Sequence, residues 1–157
     1  MKRIKEMETL SWEHHHGLVV VFRLQKGLQN NADPQTMREY VLKTWDSALA
    51  HHFWQEEEIL IEPLQTMEQG RQLVDIMLQD HEEFRQLIQK LNQNKGNLVD
   101  NLTVFASRLN DHIRFEEREL FAFVQKNVQK ITLLKIGDFL HQAHKKEDRC
   151  PIDEFWK

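Results

Sequence analysis

The sequence predicts an all-α protein: an antiparallel up-down-up-down four-helix bundle with a short C-terminal helix and tail. Three observations carry this prediction. Apolar residues recur at steps of three and four through four long stretches, and no stretch alternates convincingly with period two. Breakers are scarce, with three prolines and five glycines in 157 residues, which favours long uninterrupted helices. The gaps between stretches are short, and short connections make consecutive helices antiparallel neighbours.

The first helix is expected from about residue 10 to 29, with Leu18, Val19, Phe22 and Leu28 on one face and His15 beside them. Asn30-Asn31-Ala32-Asp33-Pro34 breaks it. Asp33 is a good N-cap for the next helix, and Pro34 suits the first helical position, where its missing N–H costs nothing. The second helix then runs from Pro34 to about Ile61 through Val41, Leu42, Trp45, Leu49, His52, Glu56 and Leu60. Pro63 bends or ends it, and residues 67–70 form the turn.

A third helix, about residues 71–92, carries Leu73, Met77, His81, Phe84, Ile88 and Leu91. Asn94-Lys95-Gly96-Asn97 closes it with C-terminal glycine and asparagine chemistry. The fourth, about residues 98–128, carries Leu98, Leu102, Phe105, Leu109, His112, Glu116, Leu120 and Phe123. A shorter amphipathic fifth segment covers residues 131–145, and the tail ends in Phe155-Trp156, two aromatics expected to dock on the bundle. The chain reads as a single domain, residues 1–157, with the bundle core over about 10–130 and the C-terminal helix and tail over 131–157.

Composition narrows the class of function. Charged residues make up 29% and apolar ones 40%, too apolar for a disordered chain. The net charge of −4 is spread along the sequence, and no basic block marks a nucleic-acid partner. The single cysteine, Cys150, forms no internal disulfide and fits a reducing compartment. The N-terminal residues have charge without an apolar run behind them. No segment approaches the ~18 apolar residues that span a bilayer. A soluble, cytoplasmic protein without a membrane partner is the expectation.

Nine histidines need a separate explanation. His52-Phe53-Trp54-Gln55-Glu56-Glu57 is echoed sixty residues later by His112-Ile113-Arg114-Phe115-Glu116-Glu117, with Leu49/Leu109 and Leu60/Leu120 framing the two copies. Histidine and carboxylate four apart share a helix face. In the expected topology His15 and His52 lie level, each roughly 25 Å from the first turn at about 1.5 Å per residue, and His81 and His112 are level about the third turn. Four core-facing imidazoles and two glutamates thus converge on one region.

Buried carboxylates are costly unless paired or bound to a cation, so the convergence points to metal. Imidazole suits iron, zinc, copper or nickel. Carboxylates shift the set toward harder, six-coordinate ions, and six ligands are too many for one tetrahedral zinc. Two iron ions bridged by Glu56 and Glu116, with His15, His52, His81 and His112 as terminal ligands, is the economical arrangement; manganese or a mixed pair is the alternative. Imidazoles must be neutral to bind, so affinity should fall below about pH 6. A ferritin-like carboxylate centre would need Glu-x-x-His on two helices, and only Glu13-His14-His15-His16 has that spacing.

The same residues resemble a known family. Glu13-His14-His15, His52 to Glu57, Asp80-His81-Glu82-Glu83-Phe84 and His112 to Phe121 are similar to the motifs of hemerythrin-like, or HHE cation-binding, domains over about residues 10–130. The resemblance implies a non-haem di-iron centre of the Fe–O–Fe type that binds or senses dioxygen, iron or nitric oxide. In the family an apolar residue follows the ligand histidine by three; Phe84 does so for His81 and Leu18 for His15. That selects His15, with His14 the alternative. Classic oxygen carriers space the last histidine and carboxylate by five, which would substitute Glu117 for Glu116; the match to His52 and Glu56 selects Glu116. Those carriers also have a fifth histidine where this chain has Met77, which argues against a dedicated oxygen carrier.

Two other readings stand beside this one. A di-iron enzyme would reduce dioxygen, peroxide or nitric oxide, or deliver iron for cluster repair, though no conventional nucleophile or general base is evident. A metal-independent helical interaction module would need no metal at all. His141 and His144, with Lys145, Lys146 and Arg149, read as a polar helix end. Trp45, Trp54 and Phe115 read as core, and His51 points away from the site.

Overall fold

The computed structural model describes residues 2–144 and 153–157. Those residues form five helices and no strand. A short 3-10 turn at Lys5–Met7 leads into α1, Glu8–Gln29. The second rod, α2, begins at Pro34–Thr44, passes through a π-helical stretch at Trp45–Leu49 and continues as Ala50–Gln65. α3 is Glu68–Asn92. α4 comprises Leu98–Phe115, a second π-helical stretch at Glu116–Leu120 and Phe121–Asn127. α5 is Lys130–Ala143. Cys150, Lys145, Lys146 and Arg149 lie outside the described residues.

The caps follow the chemistry of the sequence. Thr36 N–H donates to the Asp33 carboxylate at 3.2 Å with Pro34 at the first helical position, and Asp100 N–H donates to Asn97 at 3.0 Å. Gly96 has φ +77°, the left-handed conformation that a glycine supplies between α3 and α4. Pro63 does not end α2, which runs two residues further to Gln65; the proline sits within the last turn.

Two apolar clusters fill the interior. One gathers Val20, Val21 and Leu24 of α1, Met37 to Phe53 of α2, Phe84 to Leu91 of α3 and Leu102 to Ile113 of α4. The other gathers Met7 and Leu10, Ile59 to Leu64, Leu73 to Met77, Leu120 to Val124, and Ile136 and Leu140 of α5. Each of the first four helices contributes to both clusters, and each carries one residue of the candidate site between its two contributions: His14, Glu56, His81 and Glu116. The tail docks as expected. Phe155 packs on the first cluster and meets Tyr40 edge-on at 5.1 Å, while the Arg23 guanidinium lies 4.4 Å over the Trp156 ring.

The inward face of α1 differs from the expected one. Leu10, His14, Gly17, Val20, Val21, Leu24 and Gly27 are buried, whereas Phe22 is 60% exposed and His15 faces solvent. A Cβ on Gly17 would stand 2.7 Å from Ile113 Cδ1, so α1 and α4 approach closely through this glycine. In α4 the π-helical stretch adds a residue to the turn and advances the inward face. Phe121 and Val124 are buried and Phe123 is only half-buried.

At the α2–α3 turn a Cβ on Gly70 would fall 2.5 Å from the Leu64 carbonyl oxygen, a backbone atom that cannot swing aside. Gly70→Ala, which in an open helix would gain up to about 1 kcal/mol, is therefore expected to destabilise the chain by about 1–3 kcal/mol. Urea unfolding of the two proteins measures the difference, and a gain in stability would contradict the close approach.

Candidate metal centre

Between the two apolar clusters lies a cluster of buried polar groups. His14 comes from α1, His52 and Glu56 from α2, His81 from α3, and His112 and Glu116 from α4; all six are buried, and the two glutamates are fully so. The sequence places five of these side chains in one region, and the structure brings those five together. His15 is the correction. It sits on the outer face of α1 while its neighbour His14 turns inward. The inward partner three residues on is Gly17, which leaves no apolar mark in the sequence.

The imidazole Nε2 atoms gather round the glutamate oxygens. His14 and His112 Nε2 both lie 3.0 Å from Glu116 Oε1, and His52 and His81 Nε2 both lie 3.3 Å from Glu56 Oε1. His14 Nε2 is also 3.8 Å from Glu56 Oε2. These atoms resolve into two overlapping groups, His14, His52, Glu56 and Glu116, and Glu56, His81, His112 and Glu116, with the ligand atoms of each group within 4.8 Å of one another. The two glutamates belong to both.

Behind every imidazole stands a second carboxylate. His52 Nδ1–H donates to Glu13 at 2.8 Å and His112 Nδ1–H donates to Asp80 at 2.9 Å. Glu57 lies 3.4 Å from His81 Nδ1, and Glu117 lies 3.6 Å from His14 Nδ1. An ionised carboxylate only accepts, so the two close pairs set the proton on Nδ1 and turn the Nε2 lone pair inward. The partners form a ring in which each of the four helices supplies the carboxylate behind the next helix's histidine: α1 to α2, α2 to α3, α3 to α4, and α4 back to α1.

Most of these outer carboxylates are tied down in turn. Glu13 accepts from His144 and Gln55, both at 2.9 Å; Glu57 pairs with Arg85 at 2.5 Å; and Glu117 pairs with Arg3 at 3.1 Å. Arg108 lies 3.5 Å from Asp80 and also pairs with Glu83. Of the outer residues the sequence singled out only Glu117, as the alternative ligand to Glu116; Glu13, Glu57 and Asp80 were not picked out as part of the site. The available signal was the acidic residue directly before a histidine in both Glu13-His14 and Asp80-His81, and directly after a ligand glutamate in both Glu56-Glu57 and Glu116-Glu117.

Aromatic rings hold the imidazole planes. Phe121 stacks on His14 at 5.0 Å and 2°, and Phe53 stacks on His81 at 4.1 Å and 9°. Phe53 and Phe84 meet His112 edge-on. Trp54, expected in the core, is instead 44% exposed and lies against His51 and Phe139, while Trp45 and Phe115 are half-buried. His51 points away as expected, its Nε2 donating to the Ala143 carbonyl at 2.6 Å.

Both oxygens of Glu56, one oxygen of Glu116 and Nε2 of His52, His81 and His112 are buried without a hydrogen-bond partner. Unpaired buried acceptors of this kind are costly, and they converge on the same small volume. A bound cation satisfies them together. The donor set of neutral imidazole and carboxylate is chemically suited to metal ions, and the buried group is able to bind them.

Without a cation, protons take that part. Burial pushes the His112 imidazolium down, but the Glu116 charge and the Asp80 hydrogen bond outweigh it and raise the group to about 10. His52 is raised well above its ordinary 6.5, against burial, by the Glu56 charge and the Glu13 hydrogen bond; His14 and His81 are raised in the same sense. Glu116 is held well below its usual range because His112 and His14 outweigh its burial. Competition between proton and cation therefore extends above the pH 6 expected from a free imidazole.

The sign for stability follows. A histidine raised by folding stabilises fully below 6.5, and that contribution is lost as pH rises through its folded value; a depressed glutamate stabilises above 4.5 and is lost as pH falls. The metal-free chain should accordingly lose thermal stability steadily from about pH 6.5 toward pH 10. Melting curves after chelation measure it, and a flat profile over that interval would contradict the proton-filled site.

The model of the hemerythrin HHE cation binding domain matches residues 8–124 of the chain. No individually curated protein and no solved structure matches it. The matched span holds all six inward-facing residues of the cluster and the four carboxylates behind them. Among the described residues no helix is long and apolar enough to cross a membrane. The chain belongs to the hemerythrin HHE cation-binding domain family.

Proposed function

We propose that the chain is a non-haem di-iron protein that binds or senses dioxygen, nitric oxide or iron itself. The observation that carries this reading is the sharing of Glu56 and Glu116 between two four-residue groups, each completed by its own pair of histidines. With one ion per group, His14, His52, His81 and His112 would each hold one ion and Glu56 and Glu116 would be available to both, so no inward donor would be left over. His14 takes the place first given to His15. We read the first four helices as an antiparallel up-down-up-down bundle, since the order of their contributions to the two apolar clusters reverses from each helix to the next.

Iron bound there would supply redox chemistry toward dioxygen or nitric oxide. The chain's own residues prepare the position. Glu13 and Asp80 keep the Nδ1 protons of His52 and His112 in place, Phe53 and Phe121 fix ring planes, and the two apolar clusters exclude bulk water from either side. Met77, one turn before His81, is fully buried and offers no nitrogen, which favours sensing or iron handling over oxygen transport.

Metal content with an absorption spectrum, on protein from iron-replete cells, tests the central claim. Two irons per chain are expected; a metal-free or single-zinc protein would sink it. His14→Ala should lose bound iron whereas His15→Ala retains it, and the reverse result would restore the other histidine. Asp80→Asn and Glu13→Gln keep the ligands but weaken the acceptors behind them, and each should lower metal affinity by roughly 10–100-fold in chelator competition. Unchanged affinity in both would remove the outer carboxylates from the site.

A further inference from the structure

The outer face of α1 carries an apolar seam of its own. Glu8, Trp12, His15, Val19, Phe22 and Lys26 follow at steps of four, three, four, three and four, the heptad spacing that lines side chains along one edge of a helix. Trp12 is 76% exposed and Phe22 60%; Glu8, His15 and Lys26 are exposed and Val19 is half-buried. The seam points away from His14 and Gly17, so neither metal binding nor the core explains it. Two large aromatics this open, at matching positions on one line, mark a contact surface rather than scattered exposure.

The order of chemistry along the seam selects the occupant. From its N-terminal end it reads acid, aromatic, histidine, valine, aromatic, base. Turned end for end and laid on itself about Gly17, it is self-complementary. Trp12 faces Phe22 of a second copy, His15 faces Val19, Glu8 faces Lys26, and every contact occurs twice about a two-fold axis. A parallel pairing would set Glu8 against Glu8 and Lys26 against Lys26, which like-charge repulsion disfavours. Neither Glu8 nor Lys26 has an ion-pair partner among the described residues, so both are available. A membrane surface is a poorer match, because the seam opens on an acid and the chain's net charge is −4.

We propose that this seam is a homodimer interface, an antiparallel pairing of α1 with α1 of a second copy, held by the Trp12–Phe22 contacts and registered by Glu8–Lys26 ion pairs. The pairing is independent of whether the centre holds metal. Its contacts lie on the same helix as His14, which faces the opposite way.

Sedimentation equilibrium of the full chain tests it. A mass of two chains is expected at tens of micromolar and below; a monomer throughout that range overturns the proposal. Trp12→Glu should raise the dissociation constant by roughly 100-fold or more, since a charge would replace a buried aromatic anchor. Glu8→Lys and Lys26→Glu should each weaken the dimer by about tenfold, and the double exchange should restore it. A double variant that stays weak overturns the register.

A zero-length carbodiimide cross-linker supplies a second readout. Glu8 and Lys26 of one chain are separated by roughly 27 Å of helix, so a Glu8–Lys26 cross-link must join two chains. Its presence in the dimer is expected. A dimer that cross-links only elsewhere, or a monomer that instead binds lipid vesicles, overturns the assignment. All substituted positions are solvent-facing, and an unchanged helical circular dichroism spectrum shows that each variant still folds.

Discussion

Everything in this structure answers to two carboxylates that ought not to be where they are. Glu56 and Glu116 are fully buried between two apolar clusters, where an isolated ionised carboxylate would cost several kcal/mol. Among the described residues, four imidazoles and no lysine or arginine pair with them. The helices are therefore held in register by a shared need for positive charge at their common level, met by protons or by metal. Apolar packing above and below closes the space but does not choose that level. The histidine–glutamate distances of 3.0 to 3.8 Å do.

The ring of outer carboxylates makes this demand directional. His52 and His112 are hydrogen-bonded from behind by Glu13 and Asp80 of the preceding helix, so neither ring can rotate without breaking a contact between two helices. Glu57 and Glu117 stand 3.4 and 3.6 Å behind His81 and His14. Glu13, Glu57, Asp80 and Glu117 are themselves pinned by His144, Arg85, Arg108 and Arg3, which carry the network to the surface. Charge alternates outward: central carboxylate, imidazole, outer carboxylate, and a cation or a further imidazole. A ligand set organised this way is positioned before any ion arrives, which lowers the reorganisation that binding would otherwise demand.

Much of this was legible in the chain. Steps of three and four gave the helices, and the echo of His52–Glu56 in His112–Glu116 located four of the six inward-facing residues, because those glutamates stand at a helical repeat from the histidines. His81 followed from its place in the periodic face of α3. What was not legible has specific physical causes. His14 was hidden because its inward neighbour is Gly17, a close-packing residue with no side chain to count. The π-helical stretch at Glu116–Leu120 advances the inward face beyond it, so Phe121 and Val124 rather than Phe123 lie in the core, and no composition rule announces such a slip. The outer carboxylates lie one position off the ligand pattern, where acidic residues ordinarily read as solvated surface.

The error at His15 and the seam on α1 have one cause. Hydrophobic periodicity reports that a helix has an apolar face, not how many it has. On α1 the louder face, with Trp12, Val19 and Phe22, is the outer one, and the inner face is muted by two glycines. Gly17 and Gly27 let α1 lie close against Ile113 on one side and Phe155 and Met37 on another, and close approach needs small residues where a periodicity count looks for large ones. Aromatics left over by that packing remain in water unless another surface covers them. Within one helix, the choice between His14 and His15 is thus also a choice between two contact surfaces. A face that is apolar, open and complementary to its own reverse is best satisfied by another copy of itself.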